Sequence, residues 1–167
     1  FKRFLRKENP WSPVALWRTL TIGGMTQDEL LRQLTAAGIE VSQWARDLME
    51  HAQFVTSTTP VEVSFGRTTV RALGFTESPT TTQLFARVCE LGSLCQPEDA
   101  PHIRLAFSDQ PNGDFFWVAM EPITDSDGDP FVFLVERDGD GQRWLYTNNA
   151  RPEYQWNLDN SLVFRLR

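Results

Sequence analysis

The sequence predicts a single α+β domain in which N-terminal helices pack on a C-terminal antiparallel β-meander of about five strands. Helix-capping patterns followed by apolar residues at helical spacing occupy the first half of the chain. Short apolar stretches separated by turns rich in Asp, Asn, Gly and Pro fill the second half. The length of 167 residues is sufficient for one domain with a substantial core.

The first 13 residues are predicted to be a basic tail or arm, and residues 14–167 are predicted to form the domain. The segment FKRFLRKENPWSP contains four basic residues and two prolines. We favour a solubilising terminus, and the alternative is an arm that contacts a phosphate or an acidic partner. The basic residues are followed by polar residues, which differ from the apolar stretch of a signal peptide.

The segment TQDELLRQLTAAG predicts the first helix. Thr26 and Glu29 match a capping box, in which each side chain bonds to the backbone amide of the other. Leu30, Leu31 and Leu34 form an apolar stripe at helical spacing. Gly38 is placed to end the helix in a left-handed conformation.

The segment VSQWARDLMEHA predicts a second helix, with Ser42 as its N-cap and Trp44, Leu48 and Met49 facing inward. Two short helices around a glycine also resemble a helix-turn-helix, whose second helix presents polar or basic groups to DNA. The outward positions are mixed and partly acidic: Gln43, Arg46, Asp47 and Glu50. This set and the net charge of −6 argue against a nucleic-acid partner.

The segment SPTTTQLFARVCELG predicts a third helix, capped by Thr80 and Gln83 and closed by Gly92. Cys89 is expected on its apolar side. Residues 61–65, VEVSF, alternate apolar and polar as a strand does.

The second half of the chain predicts an antiparallel meander. DQPNGD, TDSDGDP and RDGDG are predicted turns, because Asp, Asn and Gly tolerate left-handed backbone and Pro fixes φ. FFWVAMEPI is apolar at successive positions, which predicts a strand covered on both sides. The predicted strands are HIRLAFS, FFWVAMEPI, FVFLVE, QRWLYT and SLVFRLR.

The segment ITDSDGDPFVFLVE raises the question of a calcium loop. Asp125, Asp127, Asp129 and Glu136 stand at positions one, three, five and twelve, which are ligand positions in an EF-hand. Position six is Pro130, where an EF-hand has Gly. An extended strand would also place Glu136 about 23 Å from Asp129. We therefore predict a turn and no metal site.

The sequence contains no recognised catalytic or phosphate-binding motif. His51 and His102 are its only imidazoles and lie outside known ligand spacings. Two catalytic arrangements are conceivable: a Cys95–His102 pair, or paired carboxylates with His102. The catalytic residues are left unknown, no cofactor is predicted, and we lean against an enzyme. Candidate carboxylates are Glu98, Asp99, Asp109 and Glu121.

The two cysteines, Cys89 and Cys95, match neither a CxxC nor a zinc pattern. A disulfide between them is the less favoured interpretation, so the sequence predicts a reducing cytoplasm. No apolar run approaches the length of a membrane span, which predicts no membrane partner.

Several segments of the chain resemble an uncharacterised family of small bacterial proteins. They are the WA pair in AGIEVSQWARDLM, the words DQPNG and MEPITDSDG, and the closing LVFRLR, over residues 22–167. The chain departs from the family pattern where Gln96 separates Cys95 from Pro97, and where Gly66 and Arg67 interrupt an apolar strand. The resemblance implies a bacterial protein and carries no activity with it.

The tryptophans leave two interpretations open. Trp117, Trp144 and Trp156 form either part of the core, which is favoured, or an exposed aromatic binding surface. We predict a non-catalytic binding or interaction module of the bacterial cytoplasm, with a protein as its partner. The alternative is a small hydrolase-type enzyme that uses Asp109 and Glu121 with His102. A second alternative is a nucleic-acid accessory protein that uses the basic arm.

Overall fold

The structure is a computed structural model that describes residues 14–167. The predicted basic tail, residues 1–13, lies outside the described residues. Within them the chain forms one sheet with helices on both of its faces. The helices are α1 (Gln27–Ala36), α2 (Gln43–Glu50), α3 (Thr81–Leu91) and α4 (Asp99–Ala106), with a short 3-10 turn at Arg71–Leu73.

The strands follow the order β1-β3-β9-β5-β7-β8-β2, with β4 beside β9 and β6 beside β7. The pairs β5–β9 and β2–β8 are parallel, and the other pairs are antiparallel. The strands are β1 (Leu16–Ile22), β2 (Glu40–Val41), β3 (Val61–Thr69), β4 (Gly92–Ser93), β5 (Phe115–Val118), β6 (Ile123–Thr124), β7 (Pro130–Arg137), β8 (Arg143–Asn149) and β9 (Ser161–Leu166).

The mixed helix and sheet content is confirmed, whereas the predicted antiparallel meander of about five strands is wrong. The described residues form a nine-stranded mixed sheet. The meander is present only where β5, β7 and β8 follow one another as neighbours. The error arose because parallel partners are joined by long crossovers, which leave no local pattern of turn residues.

The predicted helix ends are largely confirmed. The side chain of Thr26 accepts a hydrogen bond from the Glu29 amide at 3.2 Å, which is one of the two bonds of the predicted capping box, and Ser42 caps α2 in the same way. Thr80 and Gln83 form the reciprocal capping box of α3. Gly38 has a φ of +72° after α1, as the helix-ending position requires.

One predicted strand is a helix. HIRLAFS contributes most of α4, which buries both Ile103 and Arg104 at 0% exposure. The alternation of Ile, Leu and Phe over so few residues does not distinguish a strand from a short helix. His102 therefore lies within a helix and does not precede a strand.

Other single-residue predictions also need correction. Trp44 was expected inside but is 60% exposed, while Leu48 and Met49 of the same helix are buried as expected. Cys89 is exposed on α3, because the buried side of that helix is formed by Leu84 and Val88. β1 was missed, although its Thr-Leu-Thr-Ile ending alternates as a strand does.

The two faces of the sheet are covered differently. On one face, Phe131 and Phe133 of β7 contact Trp44 of α2 and Phe54 just after it. α4 lies on the same face, where Arg165 of β9 pairs with one of its carboxylates. α3 lies on the opposite face, where Thr81 bonds to Trp156 and Trp156 contacts Trp117 of β5. The rest of that face is partly exposed along β5, β7 and β8. The prediction of a strand covered on both sides at FFWVAMEPI is confirmed in part: Phe116 and Val118 are buried and Trp117 is half-buried, whereas Phe115 is 42% exposed.

The helical pair α1–α2 is not built as a helix-turn-helix. β2 lies between the two helices and pairs with β8, and α2 packs against the same strand. Across residues 14–167, no helix combines the length and the apolarity that crossing a bilayer demands.

Candidate binding face

The open aromatic face is the outward side of β5, β7 and β8. Directly paired positions on neighbouring strands put their side chains next to one another on one face. The register of these strands gives two adjacent rows of three. The first row is Phe115, Glu136 and Trp144, and the second is Trp117, Leu134 and Tyr146.

Alternation along the strands makes one face core and the other face partly solvent-accessible, except at Val132 of β7, which shares the second face with Leu134 and is buried. Phe115 is 42% exposed, and the other five side chains of the open aromatic face are half-buried. The residues between them point to the opposite face, where Phe116, Val135 and Leu145 are fully buried. Four aromatic rings are therefore held at the surface by strands that the core anchors.

The rings of β8 are held in a fixed arrangement. Trp144 and Tyr146 are stacked, with ring centroids 4.7 Å apart and planes 8° from parallel. The indole Nε1 of Trp144 donates to Asp138 Oδ2 at 3.0 Å. The other oxygen of Asp138 accepts from two amides of its turn, so this contact is itself anchored. The stacked pair therefore loses little freedom when something binds to it.

On the β5 side, the aromatic surface continues toward α3. Phe115 and Trp117 contact edge to face at 6.3 Å, and Trp117 meets Trp156 at 5.5 Å. Trp156 is buried and donates to Thr81 Oγ1 at 2.9 Å, while its neighbour Tyr154 is 37% exposed. Of the three tryptophans considered from sequence, Trp156 is core, and Trp117 and Trp144 are half-buried on the open aromatic face.

The open aromatic face is acidic. Within residues 14–167, the Glu136 carboxylate has no hydrogen bond or ion pair. Its pKa is raised mainly by burial and to a smaller extent by the negative charge of nearby Asp138. Burial and the same two carboxylates raise the pKa of the Tyr146 hydroxyl. Exposed Glu40 of β2 is paired in register with Trp144 on its other side. The described positions of the two rows include no Lys or Arg.

Asp109 and Glu121, the two carboxylates of the hydrolase alternative, are not brought together with His102. Asp109 is exposed and pairs with Arg18 near the start of β1 at 3.1 Å. His102 instead accepts a hydrogen bond from the Gly23 amide, beyond the end of β1. Arg18 and Gly23 are five positions apart along extended chain, so their backbones are separated by about 16 Å. Glu121 is exposed, and in the described part of the chain no hydrogen bond or ion pair joins it to either.

His102 and Cys95 have structural environments. Burial lowers the pKa of His102 despite the nearby carboxylates of Glu98 and Asp99, so the imidazole is neutral and its Nε2 accepts from Gly23. Cys95 is 1% exposed, and burial, followed by Asp99, raises the pKa of its thiol. Its Sγ lies 3.8 Å from the Val163 carbonyl oxygen, and both cysteines are free thiols. A buried, protonated thiol is a poor nucleophile.

Glu98 and Asp99 are buried, and both carboxylates accept hydrogen bonds from other parts of the chain. Glu98 accepts from the amide and the hydroxyl of Ser57, at 3.0 and 2.6 Å. Asp99 receives two hydrogen bonds of 2.7 Å from Arg165, in a bidentate pair. These carboxylates attach α4 to the loop after α2 and to β9, so they hold the fold together.

The aspartate-rich segments form two turns of the same design. Asp125 Oδ1 accepts from the amides of Asp127 and Asp129, at 3.0 and 2.8 Å. Asp138 Oδ1 accepts from the amides of Asp140 and Gln142 in the equivalent way. The predicted turns are confirmed, and the two lie at opposite ends of β7. Residues 14–167 contain no group of three or more His, Cys, Asp or Glu side chains placed to hold a metal ion.

The DQPNGD turn is part of a buried polar network. Arg104 is fully buried and donates to Gln110 Oε1 at 2.6 Å and to the Phe107 carbonyl at 2.7 Å. Gln110, also at 0% exposure, donates to the backbone of Asp114 at 3.0 Å. Burial lowers the Arg104 pKa to about 10, so the guanidinium is still charged at neutral pH.

Asp114 completes the network by pairing with Arg67. Two hydrogen bonds of 3.0 and 2.7 Å join them, and Gln110 adds a third donor to the same carboxylate. Burial acts to raise the pKa of Asp114, but these hydrogen bonds outweigh it and lower the pKa. The most distinctive sequence word thus serves the packing of α4 against β3, β5 and β7.

Comparisons with known proteins provide no relative from which to infer a function. No protein-family model matches the chain, and no similar protein was found among the curated proteins or the solved structures. The resemblance to an uncharacterised bacterial family stays a prediction.

Sequence reasoning named two of the four rings of the open aromatic face, Trp117 and Trp144, but favoured a core position for them and missed the surface as a unit. Tyr146, Phe115 and Glu136 read as ordinary strand residues, and only the register of three strands brings them together. The available signal was the aromatic content at alternate positions of FFW and WLY, combined with a single glutamate on the strand between them.

Proposed function

We propose that the chain is a non-catalytic protein-binding module whose binding surface is the open aromatic face. The observation that carries this proposal is the set of four aromatic rings held at the surface by buried strand residues. Tyr and Trp are enriched at protein interfaces, because each presents a large apolar area with little conformational freedom to lose. The broad shape of a sheet face also suits a protein partner better than a small molecule, which is bound in a concave pocket.

The carboxylate hydrolase alternative has less support, because Asp109 and His102 contact different ends of β1. The nucleic-acid alternative depends on a basic arm that lies outside the described residues.

Two depressions of about 380 and 370 Å³ lie against α1, and none of the predicted site residues lines them. The cytoplasmic location and the bacterial origin remain part of the same proposal.

The test is site-specific photocrosslinking. A photoreactive phenylalanine replaces Phe115, which is 42% exposed, in a protein expressed in its native host. The matched control places the same group at Trp44, which is 60% exposed on the helical side of the sheet. We expect a discrete crosslinked protein from position 115 and none from position 44.

The crosslinked protein is then purified and its binding measured directly. We expect Phe115→Ser to weaken that binding by about tenfold or more, since exposed aromatic anchors dominate interfaces. Trp44→Ser should leave it unchanged, with both variants folded by circular dichroism. Equal crosslinking from both positions, or binding that ignores Phe115→Ser, would contradict the proposal.

A further inference from the structure

We infer that the open aromatic face binds an extended basic segment of its protein partner, with a Lys or Arg side chain seated against Trp144 and Tyr146 and paired with Glu136. This inference rests on the proposed function and specifies the chemistry of the partner. It depends on the arrangement of the first row, on the unpaired carboxylate, and on the absence of competing cations among the described row positions.

The register places a carboxylate on each side of one aromatic ring. Glu136 on β7 and Glu40 on β2 are both paired with Trp144 on the strand between them. Neighbouring strands are about 4.8 Å apart, so the two acidic positions lie about 10 Å apart with the indole between them. A cation that stacks on the ring is then within reach of a carboxylate.

The aromatic pair supplies the second part of the recognition. Indole and phenol rings attract cations to their faces, and the attraction grows when the site excludes water. Trp144 and Tyr146 are stacked with planes only 8° apart, so their inner faces cover each other and a cation can stack only on an outer face of the pair. Asp138 anchors the indole nitrogen of Trp144. The aliphatic stem of Lys or Arg would lie along Leu134 and Phe115, which cover the rest of the rows.

Glu136 is a half-buried carboxylate with no partner among residues 14–167. Two other carboxylates that are at least half-buried in the described chain have an arginine partner: Asp114 pairs with Arg67, and Asp99 pairs with Arg165. A bound cation would give Glu136 the same kind of partner and would stabilise its charged form. Binding should therefore weaken as the pH falls and Glu136 takes up a proton, because its pKa is raised in the free protein.

The probe is a short synthetic peptide of alternating Lys and Ser, titrated into the full chain and followed by tryptophan fluorescence and calorimetry. The comparison peptide has every Lys acetylated, which removes the charge and keeps the stem. We expect saturable binding of the Lys peptide, and binding of the acetylated peptide weaker by about tenfold or more.

Two variants locate the site. Glu136→Gln keeps the side-chain shape, and we expect it to weaken Lys-peptide binding by about tenfold. The matched control is Glu62→Gln on β3, an exposed strand carboxylate at the far side of the sheet, which should leave binding unchanged. Tyr146→Leu should weaken binding without changing its dependence on Glu136.

The inference is overturned if the Lys peptide shows no saturable binding, if the acetylated peptide binds equally well, or if both Gln variants lose binding to the same extent. A single-stranded oligonucleotide or an oligosaccharide that binds the face independently of Glu136 would also overturn it. These outcomes leave the proposed function as a protein-binding module untouched, because photocrosslinking tests it independently. A crosslinked partner that needs Phe115 but tolerates Glu136→Gln leaves the binding module in place and removes only the basic segment.

Discussion

His102 shows how one side chain joins elements that are far apart in sequence. Its Nε2 accepts from the Gly23 amide, which fixes α4 against the end of β1. The histidine acts here as a structural acceptor. Its position on a helix was concealed by the alternation of apolar residues in HIRLAFS.

We predict that His102 makes the protein less stable in mild acid. Burial lowers its folded-state pKa below the usual value of 6.5. The unfolded chain therefore takes up a proton first as the pH falls from about 7.5 to about 5.5. The contribution of neutral His102 to the free energy of unfolding is present above the unfolded-state pKa. It is lost as the pH falls toward the folded-state pKa, by at most about 1.4 kcal/mol per pH unit.

Urea unfolding at the two pH values measures this loss. His102→Gln keeps an acceptor for the Gly23 amide but cannot titrate, so its stability should change less with pH. A parent and a His102→Gln variant with the same pH dependence would show that the imidazole is not held neutral.

At the scale of the elements, Gly92 explains how α3 can end directly against β9. A Cβ at this position would lie 2.1 Å from the Arg165 carbonyl oxygen and 3.0 Å from the Phe164 ring. The sequence predicted this glycine as a helix end but gave no sign of the strand that approaches it. Its backbone is extended, so the requirement for glycine comes from close packing alone.

We predict that Gly92→Ala lowers the free energy of unfolding by about 3 kcal/mol, because β4 and β9 must move apart. Gly139→Ala is the control, since a Cβ there has no neighbour within 4 Å and the residue is exposed. Its effect should be within about 0.5 kcal/mol. Chemical denaturation of the two variants distinguishes them, and equal effects would show that α3 and β9 are not closely packed.

Local patterns predicted those elements that local chemistry determines. The caps of α1, α2 and α3, and the turns closed by Asp125 and Asp138, follow from hydrogen bonds within a few residues. The order of the strands does not follow from such local hydrogen bonds, because β3 and β5, which pair with β9, lie far from it in sequence. The open aromatic face follows from strand order. The sequence therefore indicated a surface position for its two tryptophans only as an alternative to the core and did not predict their arrangement.

For the whole molecule, β9 determines whether the sheet is one unit. It is hydrogen-bonded to β3 on one side and to β5 and β4 on the other. Without it, β1 and β3 would have no connection through the sheet to β5, β7, β8 and β2. Its residues Leu162, Val163 and Phe164 are buried from both faces. Both parts of the sheet should therefore unfold together.

We predict a single unfolding transition that tryptophan fluorescence and far-ultraviolet circular dichroism report at the same denaturant concentration. Val163→Ala should lower the midpoint of both signals equally, by about 2 kcal/mol in free energy of unfolding. Val61→Ala, at a position 50% exposed on β3, should change it by less than about 0.5 kcal/mol. Two separated transitions, one for each signal, would show that the sheet is divided.

The central position of β9 also constrains how the protein is made. The ribosome synthesises β3 more than ninety residues before the Ser161 to which Thr69 is paired. During that interval the nascent chain holds two partial sheets, each with an unsatisfied strand edge that invites pairing with other chains. Chaperones that shield such edges should therefore matter most in the interval before Leu166 leaves the exit tunnel.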